Sequence, residues 1–188
     1  MEIQAVIFDL GRVLVDVVID DEFKTALGWA PADGKGERAR AVFDTLYRDF
    51  STGRIGPQEF HSALVNELGL ELEFERFVEL WCSIVAPMPG AEGLFEAVAG
   101  KLRVGLLSDT DPLHWQYVKQ RFPFVGRIPR PTLSFRTGWL KPQPEAYIAA
   151  CRNVDLPPER CLFIDDKPEN VEGAMKAGLD AMLFEGTE

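Results

Sequence analysis

Three acidic residues follow two apolar segments of this sequence of 188 residues, at the points where buried strands would end. Asp9 follows the run 5–8, and Asp165 and Asp166 follow the run 161–164. Ligands bind beyond the carboxyl ends of strands in an open parallel sheet, so we expect the three carboxylates to meet there. They would repel one another unless a cation lay among them, and Mg²⁺ is the expected ion because hard divalent cations prefer oxygen ligands. A plainer alternative is that one of the two adjacent acids only caps the helix that follows.

A hydroxyl group and a helix N-terminus follow a third apolar run, at 102–107. Ser108 comes directly after this run, and Pro112 suits the first position of a helix that Asp111 or Thr110 would cap. Free backbone N–H groups at a helix N-terminus favour a bound anion such as phosphate. An ordinary capped helix without a ligand is the alternative.

A lysine in a stiff segment is the fourth feature with possible chemistry. Lys141 precedes Pro142, and a second proline at position 144 restricts the same segment ahead of a helix. A lysine held in this way can neutralise phosphate oxygens, although most single lysines are solvated surface residues. His114 lies early in the helix after Ser108, where a surface position is more frequent than one that faces a site.

The spacing of apolar residues predicts the elements that position these side chains. Residues 16–87 have apolar residues three and four apart, which predicts helices at 21–27, 38–50, 57–68 and 73–84, and residues 30–36 predict a loop. After Gly90 the pattern changes to alternating strands and helices. Strands are predicted at 102–107, 132–135, 161–164 and 181–184, and helices at 91–99, 112–121, 144–152 and 168–177.

This alternation indicates an α/β fold, a Rossmann-like parallel sheet with helices on both faces. The strand at the N-terminus has no partner among the helices that follow it, so it belongs with the second half of the chain. We therefore predict a core domain of residues 1–15 and 88–188, and a four-helix cap domain of residues 16–87. A chain of this length can bury a substantial apolar core.

The charge of the chain argues against two classes of partner. Thirty acidic and twenty basic residues give a formal net charge of -10, which opposes binding to nucleic acid or to an anionic membrane.

The sequence predicts neither a signal peptide nor a membrane span, and we expect a cytoplasmic protein. Cys82, Cys151 and Cys161 are odd in number, and we expect buried free thiols rather than disulfides.

Four short segments, taken together, resemble the ordered motifs of the haloacid dehalogenase (HAD) superfamily. They are Phe8-Asp9-Leu10-Gly11-Arg12-Val13, Leu107-Ser108-Asp109-Thr110, Lys141-Pro142 and Ile164-Asp165-Asp166. The segment 16–87, which includes 53–60, is similar to the cap that this superfamily inserts after its first motif. The Phe-Asp-Leu-Gly form of the first motif is similar to that of bacterial sugar-1-phosphate phosphatases. Each motif alone is common, but four in this order are specific.

The resemblance implies roles in phosphoryl transfer for the residues of the first three motifs. Asp9 would attack the phosphorus atom and become an aspartyl phosphate. Ser108, with the backbone amides beside it, and Lys141 would hold the phosphoryl oxygens, in a binding site that includes Asp109. Phosphoryl transfer depends mainly on positioning and charge neutralisation, which such residues provide.

The resemblance also implies a set of magnesium ligands. Asp9, the carbonyl group of Gly11 and Asp166 would bind Mg²⁺ directly, and Asp165 would reach the ion through water. This arrangement agrees with the cation that three neighbouring carboxylates require.

Two residues depart from the pattern of the family. Most of its phosphatases carry a second aspartate two residues after the nucleophile, as general acid and then base, and this chain has Gly11 there. Asp109 replaces the asparagine that usually follows the motif serine, which adds negative charge near the phosphate. The proton transfers of the reaction therefore have no assigned residue.

These features predict a magnesium-dependent phosphohydrolase that acts on a small phosphorylated metabolite, such as a sugar phosphate. The cap would close over the substrate, exclude water and determine specificity. One alternative is a metal-free hydrolytic 2-haloacid dehalogenase that also attacks through Asp9. The other is a catalytically inactive, phosphate-binding HAD-like module, which Gly11 and Asp109 would explain.

Overall fold

Five parallel strands form the sheet at the centre of the protein, in a computed structural model that describes residues 2–29 and 35–186. In chain order, the strands of these described residues are β1 (Ala5–Phe8), β2 (Val15–Val17), β3 (Val85–Pro87), β4 (Arg103–Ser108), β5 (Thr132–Leu133), β6 (Cys161–Asp165) and β7 (Asp180–Leu183). The order across the sheet is β5, β4, β1, β6, β7, and every neighbouring pair runs parallel. The predicted α/β fold is therefore confirmed.

The helices of the described residues surround this sheet. They are α1 (Asp21–Ala26), α2 (Lys35–Ser51), α3 (Pro57–Leu68), α4 (Phe74–Ser83), α5 (Ala91–Ala99), α6 (Pro112–Arg121), α7 (Pro123–Gly126), α8 (Ser134–Thr137), α9 (Pro144–Asn153) and α10 (Pro168–Lys176). The eight predicted helices agree with these bounds to within one residue, except that α2 begins three residues before its predicted start. The predicted loop at 30–36 lies outside the described residues, apart from its last two, which belong to α2. None of the helices within 2–29 and 35–186 is long and apolar enough to cross a membrane.

Apart from shifts of one residue at strand ends, the strand predictions differ from the structure at two places. The predicted strand at 132–135 ends at Leu133, because its last two residues begin α8, a short helix that ends at Gly138 with a φ of +78°. The sequence does not predict β2 or β3, since three residues are too few to show an alternating pattern.

Strands β2 and β3 form an antiparallel ribbon at the base of the helical insertion. The four helices α1 to α4 lie between these two strands in the chain, and Val15 is aligned with Pro87. The predicted domain boundaries therefore fall within β2 and directly after β3. The division of the chain into a core and a cap domain remains a prediction.

The side chains of β1 alternate between two apolar cores, one on each face of the sheet. Val6 and Phe8 belong to the larger core, which continues into the helical insertion as far as Trp81. Ala5 and Ile7 belong to the second core, which lies on the opposite face. Because both faces are covered, β1 has an uninterrupted apolar sequence.

Gly173 of α10 permits close packing against the segment that carries Lys141. A Cβ atom added at Gly173 would lie 2.7 Å from Pro142 Cβ and 2.8 Å from the hydroxyl oxygen of Tyr147. The Tyr147 hydroxyl donates a hydrogen bond of 2.8 Å to the carbonyl of Asn170, so it is not free to move aside. The glycine is thus required by packing rather than by backbone conformation.

We expect Gly173→Ala to lower the free energy of unfolding by about 1–3 kcal/mol, because the new methyl group overpacks this contact. Gly93→Ala is the matched control, since Gly93 is also helical and an added Cβ meets no atom within 4 Å. Alanine there raises the free energy of unfolding by about 0.5–1 kcal/mol through helix propensity. Chemical denaturation measures both changes, and stabilisation of both variants would contradict the packing role of Gly173.

Candidate active site

The carboxyl ends of β1, β4 and β6 bring the predicted site residues together. Asp9 follows β1, and Ser108 and Asp165 are the last residues of β4 and β6. The Asp9 N–H donates a hydrogen bond of 2.8 Å to the carbonyl of Ile164, which extends the pairing of β1 and β6 to the nucleophile candidate. The side chains predicted from four separate segments thus lie at one edge of the sheet.

The ammonium group of Lys141 lies between two of the carboxylates. Its Nζ atom is 2.6 Å from Oδ1 of Asp9 and 2.7 Å from Oδ2 of Asp165. The Lys141 side chain is only 2 % exposed, so this ion pair has little contact with solvent. A buried cation with two carboxylate partners joins the ends of β1 and β6 to the segment after α8.

Burial and charge shift the pKa values of this pair. Burial raises the pKa of Asp9 to about 6, although Lys141 opposes the shift and Asp165 adds to it. Burial alone would lower the pKa of Lys141, but the negative charges of Asp9, Asp109 and Asp165 outweigh it and raise that pKa above its ordinary value. Lys141 is therefore a permanent cation beside the carboxylate of Asp9.

The two adjacent acids have different surroundings. Both oxygens of Asp165 accept hydrogen bonds from the amide of Asn170, and Oδ1 also accepts from the backbone N–H of Lys167 at 2.9 Å. With Lys141 on Oδ2, the Asp165 carboxylate is fully engaged and has no exposed area. The Asp166 side chain is 15 % exposed, and its Oδ2 lies 3.7 Å from Nη1 of Arg12.

This acidic cluster is suited to a divalent cation. The carboxylate oxygens of Asp9, Asp165 and Asp166 include a set that lies within 4.8 Å of one another. Oxygen donors at this separation fit a hard ion such as Mg²⁺. Asp9, Gly11 and Asp166 line the adjoining cavity, whereas Asp165 does not line it and is engaged with protein donors.

Ser108 and Asp109 complete the polar side of the site in different ways. Ser108 is buried and lines the cavity, and its hydroxyl has no hydrogen-bond partner among residues 2–29 and 35–186. The carboxylate of Asp109 instead accepts hydrogen bonds from the backbone N–H of Lys141, at 3.1 and 3.2 Å. Burial raises the pKa of Asp109, and Lys141 partly offsets that shift. Asp109 thus anchors the lysine segment, a contact that sequence reasoning missed.

A buried ion pair at the start of α6 contacts Trp81 of the insertion beside the site. Asp111 caps α6 by accepting hydrogen bonds from the backbone N–H groups of Leu113 and His114. Its Oδ2 also lies 2.7 Å from Nδ1 of His114 and accepts a hydrogen bond of 3.1 Å from Nε1 of Trp81 in α4. The carboxylate has no exposed area, so its charge is balanced within the protein.

His114 is positioned as an imidazolium ion. Its Nδ1 faces the Asp111 carboxylate, and its Nε2 lies 2.6 Å from the carbonyl oxygen of Trp81. Both partners are acceptors, so both ring nitrogens must donate. Burial alone would lower the pKa of His114, but Asp111 more than compensates and raises it. The expectation that His114 lies at the surface of its helix is therefore wrong. The sequence near His114 does not show its contact with Trp81, because Trp81 belongs to α4, which is distant in the chain.

A cavity of about 350 Å³ lies between the sheet edge and the insertion. Its sheet side carries the polar groups described above. Its insertion side is mostly aromatic, and the rings that line it are Phe23, Trp29, Phe43, Tyr47 and Trp81. The cavity therefore has one charged end and one apolar end.

The fold and the sequence together identify the class of protein. The chain belongs to the haloacid dehalogenase-like hydrolases, because the family model of that description matches residues 3–178. The resemblance of the four motifs is thus confirmed. The positions of the site residues agree with those that the motifs predict, but their individual chemical roles remain proposals.

Two curated relatives match nearly the whole chain. D-ribitol-5-phosphate phosphatase of Bacteroides thetaiotaomicron is 24% identical over 189 residues, which cover 95% of this chain and 90% of that protein. N-acetylmuramic acid 6-phosphate phosphatase of Pseudomonas aeruginosa is 26% identical over 185 residues, which cover 95% and 80%. A solved HAD family enzyme of B. thetaiotaomicron, in complex with magnesium and inorganic phosphate, superposes with a TM-score of 0.82 at 25% identity. That match covers 99% of this chain and 96% of the other.

We expect Asp166→Asn to weaken Mg²⁺ binding at least about tenfold, because it removes an accessible oxygen ligand. Asp165→Asn has a smaller effect on affinity, but it lowers the free energy of unfolding by about 1–3 kcal/mol, since Lys141 loses a charged partner. Isothermal titration calorimetry and denaturation measure the two effects.

The control for this pair is Glu169→Gln, which removes an exposed carboxylate from the first turn of α10. It should leave Mg²⁺ affinity unchanged. Equal losses of affinity in Asp165→Asn and Asp166→Asn would contradict the assignment of Asp166 as the direct ligand.

Proposed function

We propose that the protein is a magnesium-dependent phosphohydrolase that acts on a small phosphorylated metabolite through an aspartyl phosphate. The observation that supports this best is the position of Asp9, whose carboxylate lies at the charged end of the cavity with Lys141 on one oxygen. A nucleophile held beside a permanent cation can approach a dianionic phosphate ester without prohibitive repulsion.

In the first step, a carboxylate oxygen of Asp9 forms a bond to phosphorus while the ester P–O bond breaks, and the leaving alkoxide takes a proton from solvent. In the second step, the oxygen of a water molecule forms a bond to phosphorus and the water loses a proton to solvent, while the bond to Asp9 breaks and inorganic phosphate is released. Lys141 and the free hydroxyl of Ser108 hold the phosphoryl oxygens in both steps. Mg²⁺ held by Asp9, the Gly11 carbonyl and Asp166 would neutralise charge on the phosphoryl group.

The relatives support the class of substrate in this proposal. Two of them are named as phosphatases of phosphorylated sugar derivatives, and a similar structure contains both magnesium and inorganic phosphate. Sugar phosphates are therefore one class of substrate to include in the test.

Two alternatives are weaker on physical grounds. A metal-free dehalogenase would not need the carboxylate of Asp166, which lines the cavity and forms a cluster of oxygen ligands with Asp9 and Asp165. An inactive binding module was suggested by Gly11 and by the charge of Asp109. The Asp109 carboxylate accepts hydrogen bonds from the backbone N–H of Lys141, however, so it has a structural role that does not require an inactive site.

The test is hydrolysis of a panel of phosphorylated metabolites with and without Mg²⁺, by the wild-type protein and by Asp9→Asn. We expect release of inorganic phosphate that chelation of the metal abolishes. Asn keeps the shape of the side chain but is not a nucleophile, so Asp9→Asn should lose at least about 10³-fold in kcat while its circular dichroism spectrum stays unchanged. Chloride release from a 2-haloacid without metal would instead favour the dehalogenase.

Gly11 generates a separate prediction about the rate-limiting step. Without an acid to protonate the leaving oxygen, aryl phosphates should react much faster than alkyl phosphates. Without a base to activate water, the aspartyl phosphate should accumulate, since a positioned base commonly contributes about 10²–10⁴ in rate. We expect stopped-flow measurements to show a burst of leaving group equal to the enzyme concentration.

Gly11→Asp should accelerate the slow phase after this burst, with Gly11→Asn as the control of equal size. An added Cβ at Gly11 would lie 3.3 Å from Cγ2 of Val17, so a small shift of that side chain accommodates it. If the wild-type protein shows no burst, and alkyl and aryl esters react alike, another residue supplies the proton transfers.

A further inference from the structure

The apolar end of the cavity does not match the chemistry of a polyol. We propose that the organic part of the substrate is a flat, largely apolar ring system, so that the protein takes the phosphate ester of an aromatic or heteroaromatic alcohol. This inference rests on the proposed function, because it assumes that the ester phosphate occupies the charged end. The inference specifies the organic group that occupies the apolar end of the cavity.

The first argument is the arrangement of rings around Phe43 of α2. The Phe43 ring is stacked on that of Tyr47, with centroids 5.5 Å apart and planes 10° apart, and it meets Trp29 edge to face at 4.8 Å. It also lies 5.8 Å from Trp81. All four rings line the cavity, and Trp29, Phe43 and Tyr47 are only half-buried. Their uncovered ring surface is apolar and is presented to a ligand.

The second argument is the small number of polar groups at this end. Every hydroxyl of a buried polyol needs a partner, because an unpaired buried hydroxyl is unfavourable. The indole N–H of Trp81 already donates to Asp111, and both nitrogens of His114 are engaged. The other lining side chains of the insertion, among the described residues, are aromatic or aliphatic. A sugar chain would therefore find few hydrogen-bond partners on the insertion side of the cavity.

The third argument is the pair of polar atoms that remain. Nε1 of Trp29 is buried and has no hydrogen-bond partner among residues 2–29 and 35–186. The Tyr47 hydroxyl likewise has no partner in the described part of the chain. Burial, with the charges of Asp111 and Asp109, raises the pKa of Tyr47 well above its ordinary value, so the group stays a donor. Because Nε1 of Trp29 has almost no accessible surface, the Tyr47 hydroxyl is the donor available to a ring that carries an acceptor atom.

The volume of the cavity limits the size of that ring system. About 350 Å³ is near the lower end of the range for small-molecule sites. Such a volume holds a phosphate group and one or two fused rings. An extended dinucleotide or a lipid would not fit.

The test compares two alkyl esters that share the phosphate group, 2-phenylethyl phosphate and ribitol 5-phosphate. Using alkyl esters of both kinds removes the advantage of an aryl leaving group. Binding to the full-length Asp9→Asn protein with Mg²⁺ is measured by calorimetry, so turnover is not required. We expect the phenylethyl ester to bind at least about tenfold more tightly.

Phe43→Leu should reduce the preference for the phenylethyl ester by about fivefold, because it removes the central ring of the apolar end. The control is Phe74→Leu, at the start of α4, since Phe74 is also half-buried but does not line the cavity. It should leave the preference unchanged. Equal effects of the two substitutions would show that the preference does not come from this cavity.

Hydrolysis of acetyl phosphate separates failure of this inference from failure of the proposed function. Acetyl phosphate reaches only the charged end, so its Mg²⁺-dependent hydrolysis tests the phosphohydrolase alone. If it is hydrolysed but ribitol 5-phosphate binds as tightly as the phenylethyl ester, the inference is wrong and the function stands. If neither ester binds, the inference is also overturned. If only the phenylethyl ester binds and nothing is hydrolysed, the inference stands and the function fails.

Discussion

The site depends on the ion pairs that the ammonium group of Lys141 forms with two carboxylates. Three carboxylates converge at one edge of the sheet, and two of them share this buried cation at 2.6 and 2.7 Å. Its position is fixed from two sides, because Asp109 holds its backbone N–H and Pro142 packs closely on Gly173. Without that cation, Asp9 and Asp165 would repel each other where β1 and β6 are paired. The charge balance of the sheet edge and the electrostatic surroundings of Asp9 thus depend on one side chain.

The sequence alone was sufficient for the central elements and for the charged end of the site. Buried parallel strands are continuous apolar runs, so β1, β4 and β6 and the polar residues at their ends are visible in the pattern. The contacts that Asp109 and Asp165 make with Lys141 could not be predicted from this pattern. Each carboxylate contacts Lys141, which is 32 positions from Asp109 and 24 positions from Asp165. Local spacing in the sequence does not show which distant backbone amide or ammonium group a carboxylate contacts.

The apolar end of the cavity could not be predicted for a different reason. Phe43 and Tyr47 lie four residues apart on α2. This spacing places both rings on one face of the helix, but it does not distinguish rings packed in the core from rings that line a cavity. Only the packing of α2 against its neighbours leaves part of these rings uncovered. The three-residue strands β2 and β3 were missed for lack of length, since their pairing is defined by the partner strand and not by a pattern within each.

The contact between His114 and Trp81 of the insertion depends on one proton, the one that makes the imidazole of His114 an imidazolium ion. With that proton, the imidazolium attracts both the Asp111 carboxylate and the carbonyl oxygen of Trp81. Without it, one ring nitrogen presents a lone pair to an acceptor, and the attraction becomes a repulsion. Because Asp111 raises the pKa of His114, the attachment is complete below the ordinary histidine pKa and is lost as the pH rises through the raised value. The contact of α4 with α6 therefore has an electrostatic part, which adds to the apolar packing of Trp81 and weakens in alkaline solution.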